Sequence, residues 1–167
     1  MSYILGINAF HGNSSACILK NNEIVFAIEE ERINRIKNWS GFPSKSIRMC
    51  LNHVNKDLND IECIAINRNS KANLKEKFFF SIKNFDNLKY AIKKSKNLIK
   101  LNNIEDYFLK EFNLSRTPKI IFVDHHLAHL SSSYLTSNFN NSAMLSLDGF
   151  GDFASCAIGF GRGDYIN

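Results

Sequence analysis

The sequence predicts an α/β fold, and three observations lead to that prediction. Three short apolar segments separated by tight turns open the chain and predict an antiparallel meander. These segments are Tyr3–Ile7, Ala16–Leu19 and Glu23–Ile28. A strand at Ile61–Ile66 then follows a predicted helix, an order that fits a crossover onto the same sheet. A second strand–turn–strand unit starts near Ala143.

The predicted helix between these strands runs from about Lys45 to Val54, with Ser44 as a plausible N-cap. A second helical segment is predicted at Ile104–Phe112. Together with the meanders, these elements predict helices that flank a mixed sheet.

Three histidines follow a predicted buried strand at Ile120–Val123. A helix that begins near Asp124 places His125 and His129 one turn apart on the same face. His126 then points about 100° away from His125, so we expect it to pack or to support the other two. A zinc protease is disfavoured, because His126 occupies the position of the glutamate that HExxH needs as its base.

A carboxylate is expected near these histidines. The apolar run Ala143–Leu147 predicts a strand that delivers Asp148 into a glycine-rich loop, Gly149–Asp152. Two histidine nitrogens and one carboxylate are typical of a metal site with open positions. Such a histidine pair alone would as readily be structural, and the loop glycines would alone indicate only a tight turn.

Acidic and basic residues follow the third strand. Strand alternation places Glu29 and Glu30 on opposite faces of the sheet. A solvated strand end is one interpretation, and a carboxylate cluster that binds substrate is the other. Arg35 and Lys37 lie just beyond these acids.

Length and composition exclude several classes of protein. The chain has 167 residues, of which 44% are hydrophobic and 22% charged, as in a single globular domain. It contains no apolar run long enough for a transmembrane helix and no recognisable signal peptide, so no membrane partner is expected. Its four cysteines are widely spaced, which disfavours a zinc ribbon or a disulfide scaffold and indicates a cytoplasmic location.

The net charge of +5 is concentrated in one segment. Between Asn69 and Lys100 there are nine lysines and two acidic residues, in a stretch predicted as helix or loop. A nucleic-acid partner is not expected, since the rest of the chain is slightly acidic. A solvated helix face is one interpretation of this segment, and a surface that attracts anionic ligands is the alternative.

Five segments in order carry a resemblance to a known family. They are LGINAFHGNSSACIL, AIEEERINRIKNWSGFP, IAINR, VDHHLAHLSSSY and SLDGFGD. Together they resemble the N-terminal part of the carbamoyltransferase family, which includes nodulation enzymes and enzymes that O-carbamoylate antibiotics. The resemblance implies an actin-like ATPase (ribonuclease H-like) fold, similar to that of the universal tRNA-threonylcarbamoyl transferase.

The resemblance also implies a division into lobes. Residues 1–141 would form the first lobe and residues 142–167 the start of a second, while the C-terminal adenylating domain of the family is absent. The chain is therefore expected to be a fragment or a truncated gene product. A homodimer is an option.

The chemistry that the resemblance implies is carbamoyl transfer. In such enzymes carbamoyl adenylate is made from carbamoyl phosphate and ATP, and its carbamoyl group passes to a hydroxyl of a small acceptor such as a sugar or antibiotic. His125, His129 and Asp148 match the ligands of a metal, iron(II) or another divalent ion. The family has a further aspartate ligand downstream, so metal binding by this chain is expected to be weak or absent.

The resemblance suggests roles for the other candidates. His11 would act as a base on the acceptor hydroxyl or bind the carbamoyl group, and a hydrogen-bonded structural histidine is the alternative. Binding of nucleotide or carbamoyl is suggested for Asn8, Gly149 and Gly151. Binding of acceptor or phosphate is suggested for Glu29, Glu30, Arg35 and Lys37.

Two other functions remain open at this level. One is a metal-assisted ATP-binding or sugar-kinase-like protein of the same fold. The other is a truncated, non-catalytic fragment that only binds its ligands.

Overall fold

The computed structural model describes residues 1–69, 100–151 and 154–167, which divide into two compact units. The first unit contains Met1–Ile66 and residues 100–122, and the second contains residues 67–69, 123–151 and 154–167. Most of the lysine-rich segment lies outside the described residues. The predicted lobe boundary between residues 141 and 142 does not coincide with this division and stays a prediction.

A five-stranded sheet forms the centre of the first unit, in the order β3-β2-β1-β4-β5. The first three strands form the predicted antiparallel meander, and β4 and β5 add to β1 in parallel. Only β2 therefore runs against the others, an arrangement that confirms the predicted ribonuclease H-like, actin-like fold class. The strands are β1 (Tyr3–Asn8), β2 (Ser15–Lys20), β3 (Glu23–Glu29), β4 (Cys63–Ile66) and β5 (Lys119–Phe122).

The described helices of the first unit are α1 (Glu30–Asn34), α2 (Ser44–His53), a 3-10 turn (Leu58–Asp60) and α3 (Ile104–Phe112). Residues at every second position of β1 are buried, as the strand period requires. The core joins these side chains to apolar residues of α2 and α3. Ile47 and Phe108 are fully buried within it.

The connection from β3 to α2 differs from the prediction. A helix starts at Glu30, so strand alternation does not place Glu29 and Glu30 on opposite faces. The N-cap of α2 is Pro43 and not Ser44, and Pro43 forms no side-chain cap hydrogen bond. The buried Glu30 carboxylate supplies acceptors instead, because the first amides of a helix lack partners within it.

The hydrogen bonds of Glu30 show this capping directly. The Ser46 N–H donates to Glu30 Oε2 over 2.7 Å, and the Ser46 hydroxyl donates to the same oxygen over 2.8 Å. The Lys45 N–H donates to Oε1 over 3.3 Å. The carboxylate thus anchors α2, which accounts for its burial without any ligand.

Strand β5 is more exposed than the sequence suggests. It was expected to be buried, but its side chains are exposed or only half-buried, including Ile121 and Phe122. The reason is its position, because within the described part of the chain β5 lies at an edge of the sheet and pairs with β4 alone. A short apolar run does not by itself distinguish an edge strand from a central one.

The second unit pairs a helix with a three-stranded antiparallel sheet of order β6-β7-β8. Leu130, Tyr134 and Met144 form its small apolar cluster. A Cβ at Gly161 would lie 2.5 Å from the Tyr134 ring, so glycine allows the ring to lie against β7. The elements are α4 (His125–Tyr134), β6 (Asn141–Gly151), β7 (Ala154–Arg162) and β8 (Tyr165–Ile166).

The prediction of a loop after Asp148 is partly wrong. Gly149 and Gly151 belong to β6, whose register against β7 shifts between Leu147 and Gly151. Pairing of Gly151 with Ala154 extends the hairpin beyond this irregularity. Within the described residues, none of the helices is long and apolar enough to cross a bilayer.

Candidate metal centre

The residues that β6 contributes to the site lie on one side of the strand. Met144 and Ser146 lie at alternate positions on one side of the strand, and the contact of Asp148 with His125 places its carboxylate on that side too. Met144 and Ser146 are buried, and Asp148 is exposed near the end of the strand. Met144 and Ser146 therefore pack against α4, and Asp148 follows them at the exposed end of this row.

The helix contributes two histidines one turn apart, as predicted. His125 Nε2 lies 2.8 Å from Asp148 Oδ2, and His129 Nε2 lies 3.0 Å from His125 Nε2. One ligand atom from each of the three residues lies within 4.8 Å of the other two. The structure thus brings together the three side chains predicted from the sequence as metal ligands.

Hydrogen bonds alone do not satisfy the His125 nitrogen, which lies close to both His129 and Asp148. If His125 Nε2 carries a hydrogen and donates it to Asp148, the same nitrogen has no lone pair for His129. If Nε2 of His125 is deprotonated, its lone pair faces the lone pairs of the Asp148 carboxylate, and the two repel each other. A cation would remove the conflict, because two imidazole nitrogens and a carboxylate oxygen can all offer lone pairs to the same ion.

The site is partly open. His125 is buried, whereas His129 and Asp148 are exposed. An ion held by these residues would keep positions free for other ligands, as in sites with two histidines and one carboxylate.

Local electrostatics favour the ligand forms of the side chains. The Gly149 N–H donates to Asp148 Oδ1 over 2.6 Å, and this bond with the one to His125 lowers the pKa of Asp148. Burial and then the neighbouring His125 lower the pKa of His129, against the opposing effect of Asp148. Both shifts favour the deprotonated groups that bind metals.

His126 faces away from this cluster, in agreement with the prediction. Its ring is buried, Nδ1 lies 2.8 Å from Ser146 Oγ, and Nε2 lies 2.9 Å from the carbonyl oxygen of Ala154. Sequence reasoning did not identify Ser146. Its position two residues before Asp148 was the available signal, because residues at that spacing share a side of a strand.

The candidates in the first polar turn lie in the first unit. The Asn8 side-chain amide donates to the carbonyl oxygens of Gly12 and Asn13 over 3.1 Å each, which shapes the turn. The Ser14 hydroxyl donates to the His11 carbonyl oxygen over 3.0 Å, and the His11 side chain is exposed. Their predicted roles stay predictions.

The charged candidates after β3 also lie in the first unit. Glu29 is half-buried and lies 3.7 Å from the Arg32 guanidinium. Arg35 ends α1 in a left-handed conformation with φ 62°, and Lys37 is exposed. These three side chains remain accessible, in contrast to the buried Glu30.

Gly149 lies within strand β6 and not in a loop. Its amide already donates to Asp148, and a Cβ there would meet no atom within 4 Å. Glycine is therefore not required at this point by crowding within the described residues. Roles for Gly149 and Gly151 in nucleotide or carbamoyl binding stay predictions.

Fold and site together define a class: an actin-like α/β protein whose second unit groups two histidines and a carboxylate as candidate metal ligands. The family comparison is more specific. The family described as Carbamoyltransferase N-terminus matches residues 3–165, and the chain belongs to it.

Relatives agree with this assignment. The chain is 32% identical over 166 residues to Nodulation protein NolNO of Sinorhizobium fredii, a match that covers 95% of this chain and 22% of that protein. It is 27% identical over 174 residues to the uncharacterized protein sll1178 of Synechocystis sp., covering 99% and 28% respectively. The chain therefore spans between a fifth and a third of the length of these relatives.

Among solved structures, YeaZ from Pseudomonas aeruginosa is similar with a TM-score of 0.48 and 13% sequence identity. The match covers 96% of this chain and 59% of that one.

Proposed function

We propose that this chain is part of an enzyme that transfers a carbamoyl group to a hydroxyl of a small-molecule acceptor, such as a sugar or antibiotic. Family membership supports the class of reaction. The observation that carries the proposal is the convergence of His125, His129 and Asp148. These residues would hold a divalent cation, for which we propose iron(II).

The cation would supply one kind of chemistry when bound, the polarisation of carbamoyl or phosphate oxygens. The protein's own contribution is to present two imidazole nitrogens and a carboxylate oxygen from a helix and a strand. Asp148 is oriented by the Gly149 amide, so its second oxygen remains directed toward His125.

The donor in this proposal is carbamoyl adenylate, made from carbamoyl phosphate and ATP elsewhere in the whole protein. His11 would take the proton of the acceptor hydroxyl or bind the carbamoyl group, and Asn8 shapes the turn that presents it. Glu29, Arg35 and Lys37 offer accessible charged groups for acceptor or phosphate. All four cysteines are free thiols, which supports a cytoplasmic location.

Product analysis tests the proposal. The whole protein of which this chain is part, supplied with carbamoyl phosphate, ATP and a panel of hydroxylated acceptors, is expected to yield a carbamoylated acceptor and AMP. A sugar-kinase-like reaction would instead yield ADP and a phosphorylated acceptor. Formation of ADP alone would contradict the proposal.

A pair of variants connects the activity to the site. His125→Ala is expected to remove carbamoyl transfer, because it removes the ligand that lies between the other two. His53→Ala is the matched control, since His53 is an exposed histidine that stacks on Phe26 in the first unit. Equal activity of both variants would exclude the proposed metal centre from the reaction.

A further inference from the structure

We propose that His126 is a positioning residue, which aligns the proposed metal ligands by fixing α4 against the β6–β7 hairpin. The inference rests on the proposed metal centre and adds two residues to it, His126 and Ser146. Both are buried and both have hydrogen-bonding partners.

The contacts of His126 fix which nitrogen carries the hydrogen. The carbonyl oxygen of Ala154 can only accept, so Nε2 of His126 donates to it over 2.9 Å. In the neutral imidazole Nδ1 is then the acceptor and receives the hydroxyl hydrogen of Ser146 over 2.8 Å. Both nitrogens are thereby occupied, which leaves neither available to a metal ion.

These two bonds define where the helix lies on the hairpin. Ser146 is in β6 and Ala154 begins β7, so one ring holds both strands of the hairpin. The neighbouring cluster of Leu130, Tyr134 and Met144 adds burial, but apolar contacts are non-directional. The hydrogen bonds therefore supply the directional constraint.

Each of these residues is close in sequence to a proposed ligand. His126 follows His125 directly, and Ser146 precedes Asp148 by one strand repeat on the same side of β6. A slip of one residue along β6 would turn Ser146 away from α4 and would displace Asp148 with it. The Ser146–His126 bond thus fixes the register that places the Asp148 oxygen 2.8 Å from His125 Nε2.

Cobalt(II) binding tests the inference, because visible absorption of the bound ion reports its ligand geometry. Ser146→Ala removes the hydroxyl donor with little change in volume, and His126→Phe removes both bonds. Ser142→Ala is the matched control, since Ser142 lies on the same side of β6 and its hydroxyl, among the described residues, donates to the adjacent Ala143 carbonyl. We expect both test variants to bind cobalt about 10- to 100-fold more weakly, with shifted absorption bands at saturation.

The outcomes distinguish this inference from the proposed function. Three ligands alone are expected to bind cobalt weakly, so the ion is titrated to high concentration. Wild-type protein that still binds none would overturn this inference, whereas the product analysis tests the proposed function separately. If the wild type binds and Ser146→Ala matches Ser142→Ala in both affinity and spectrum, only the positioning role is refuted. Weaker binding with an unchanged spectrum at saturation would also refute it, since a role in stability alone predicts that result.

Discussion

The sheets of the two units differ in how much of their apolar surface is covered. In the first unit, Leu5, Ile18 and Ile64 come from adjacent strands and are each 0% exposed. In the second unit, Leu147 and Ile158 on β6 and β7 are 74% and 79% exposed. Among the described residues, the side of that hairpin facing α4 carries a small apolar cluster and the hydrogen bonds of His125 and His126. The candidate metal ligands are thus held more by directional contacts than by a large core.

Removing core volume from the first unit should have the largest effect on stability. Phe108→Ala is expected to lower the free energy of unfolding by about 3–5 kcal/mol, because it leaves a cavity among fully buried side chains. Urea denaturation followed by circular dichroism measures the change. Phe139→Ala, at a residue 68% exposed, should change it by no more than about 0.5 kcal/mol. Similar losses in both variants would contradict the contrast between the units.

Metal binding should stabilise the second unit by a smaller amount. Cobalt(II) at about 100 times its dissociation constant is expected to add about 2.7 kcal/mol to the free energy of unfolding, since it binds the folded state. Asp148→Asn should remove most of this gain, whereas Asp164→Asn, at an exposed position in the β7–β8 turn, should retain it. Thermal denaturation with and without cobalt provides the measurement. If cobalt stabilises Asp148→Asn as much as the wild type, the ion binds at a different site.

The buried carboxylate of the first unit offers a comparison with the polar contacts of the second. Glu30→Ala is expected to lower the free energy of unfolding by about 1–3 kcal/mol, because the amides of Lys45 and Ser46 lose their acceptor. Urea denaturation applies here too, with Glu23→Ala at the exposed start of β3 as its control. No difference between these variants would show that water replaces the carboxylate at little cost.

Thiol reactivity gives the most local comparison of the units. Burial raises the pKa of Cys50 in the first unit to about 12, whereas Cys156 in the second unit is exposed. Alkylation requires the thiolate, so Cys156 should react in the native protein and Cys50 only after unfolding. Mass spectrometry after brief iodoacetamide treatment at mildly alkaline pH identifies the modified residue. Cys156→Ser should remove the native-state modification, and labelling of Cys50 at the same rate would contradict its burial.

The sequence was most informative where structure follows from local spacing. A turn of helix separates His125 from His129, and the strand that ends near Asp148 is marked by its own apolar run, so the proximity of these candidate ligands was predictable. The strand order and the first meander likewise reflect local turns and a short crossover.

The incorrect predictions concern features that depend on contacts between residues distant in the sequence. Glu30 caps a helix that begins 14 positions later, and no local pattern specifies that contact. Exposure of β5 depends on its place at the sheet edge, which its own apolar residues do not encode. Pairing with β7 extends β6 through Gly149, against the turn preference of glycine.

The uncovered side of β6 and β7 also has a consequence for handling the protein. Leu145, Leu147, Ile158 and Phe160 are all exposed, and the strand pairing places Leu145 beside Ile158. A contiguous apolar surface of this kind promotes association in water, and the tendency grows with concentration. Solubility of this chain is therefore expected to depend chiefly on one side of one hairpin, the side opposite to the candidate ligands.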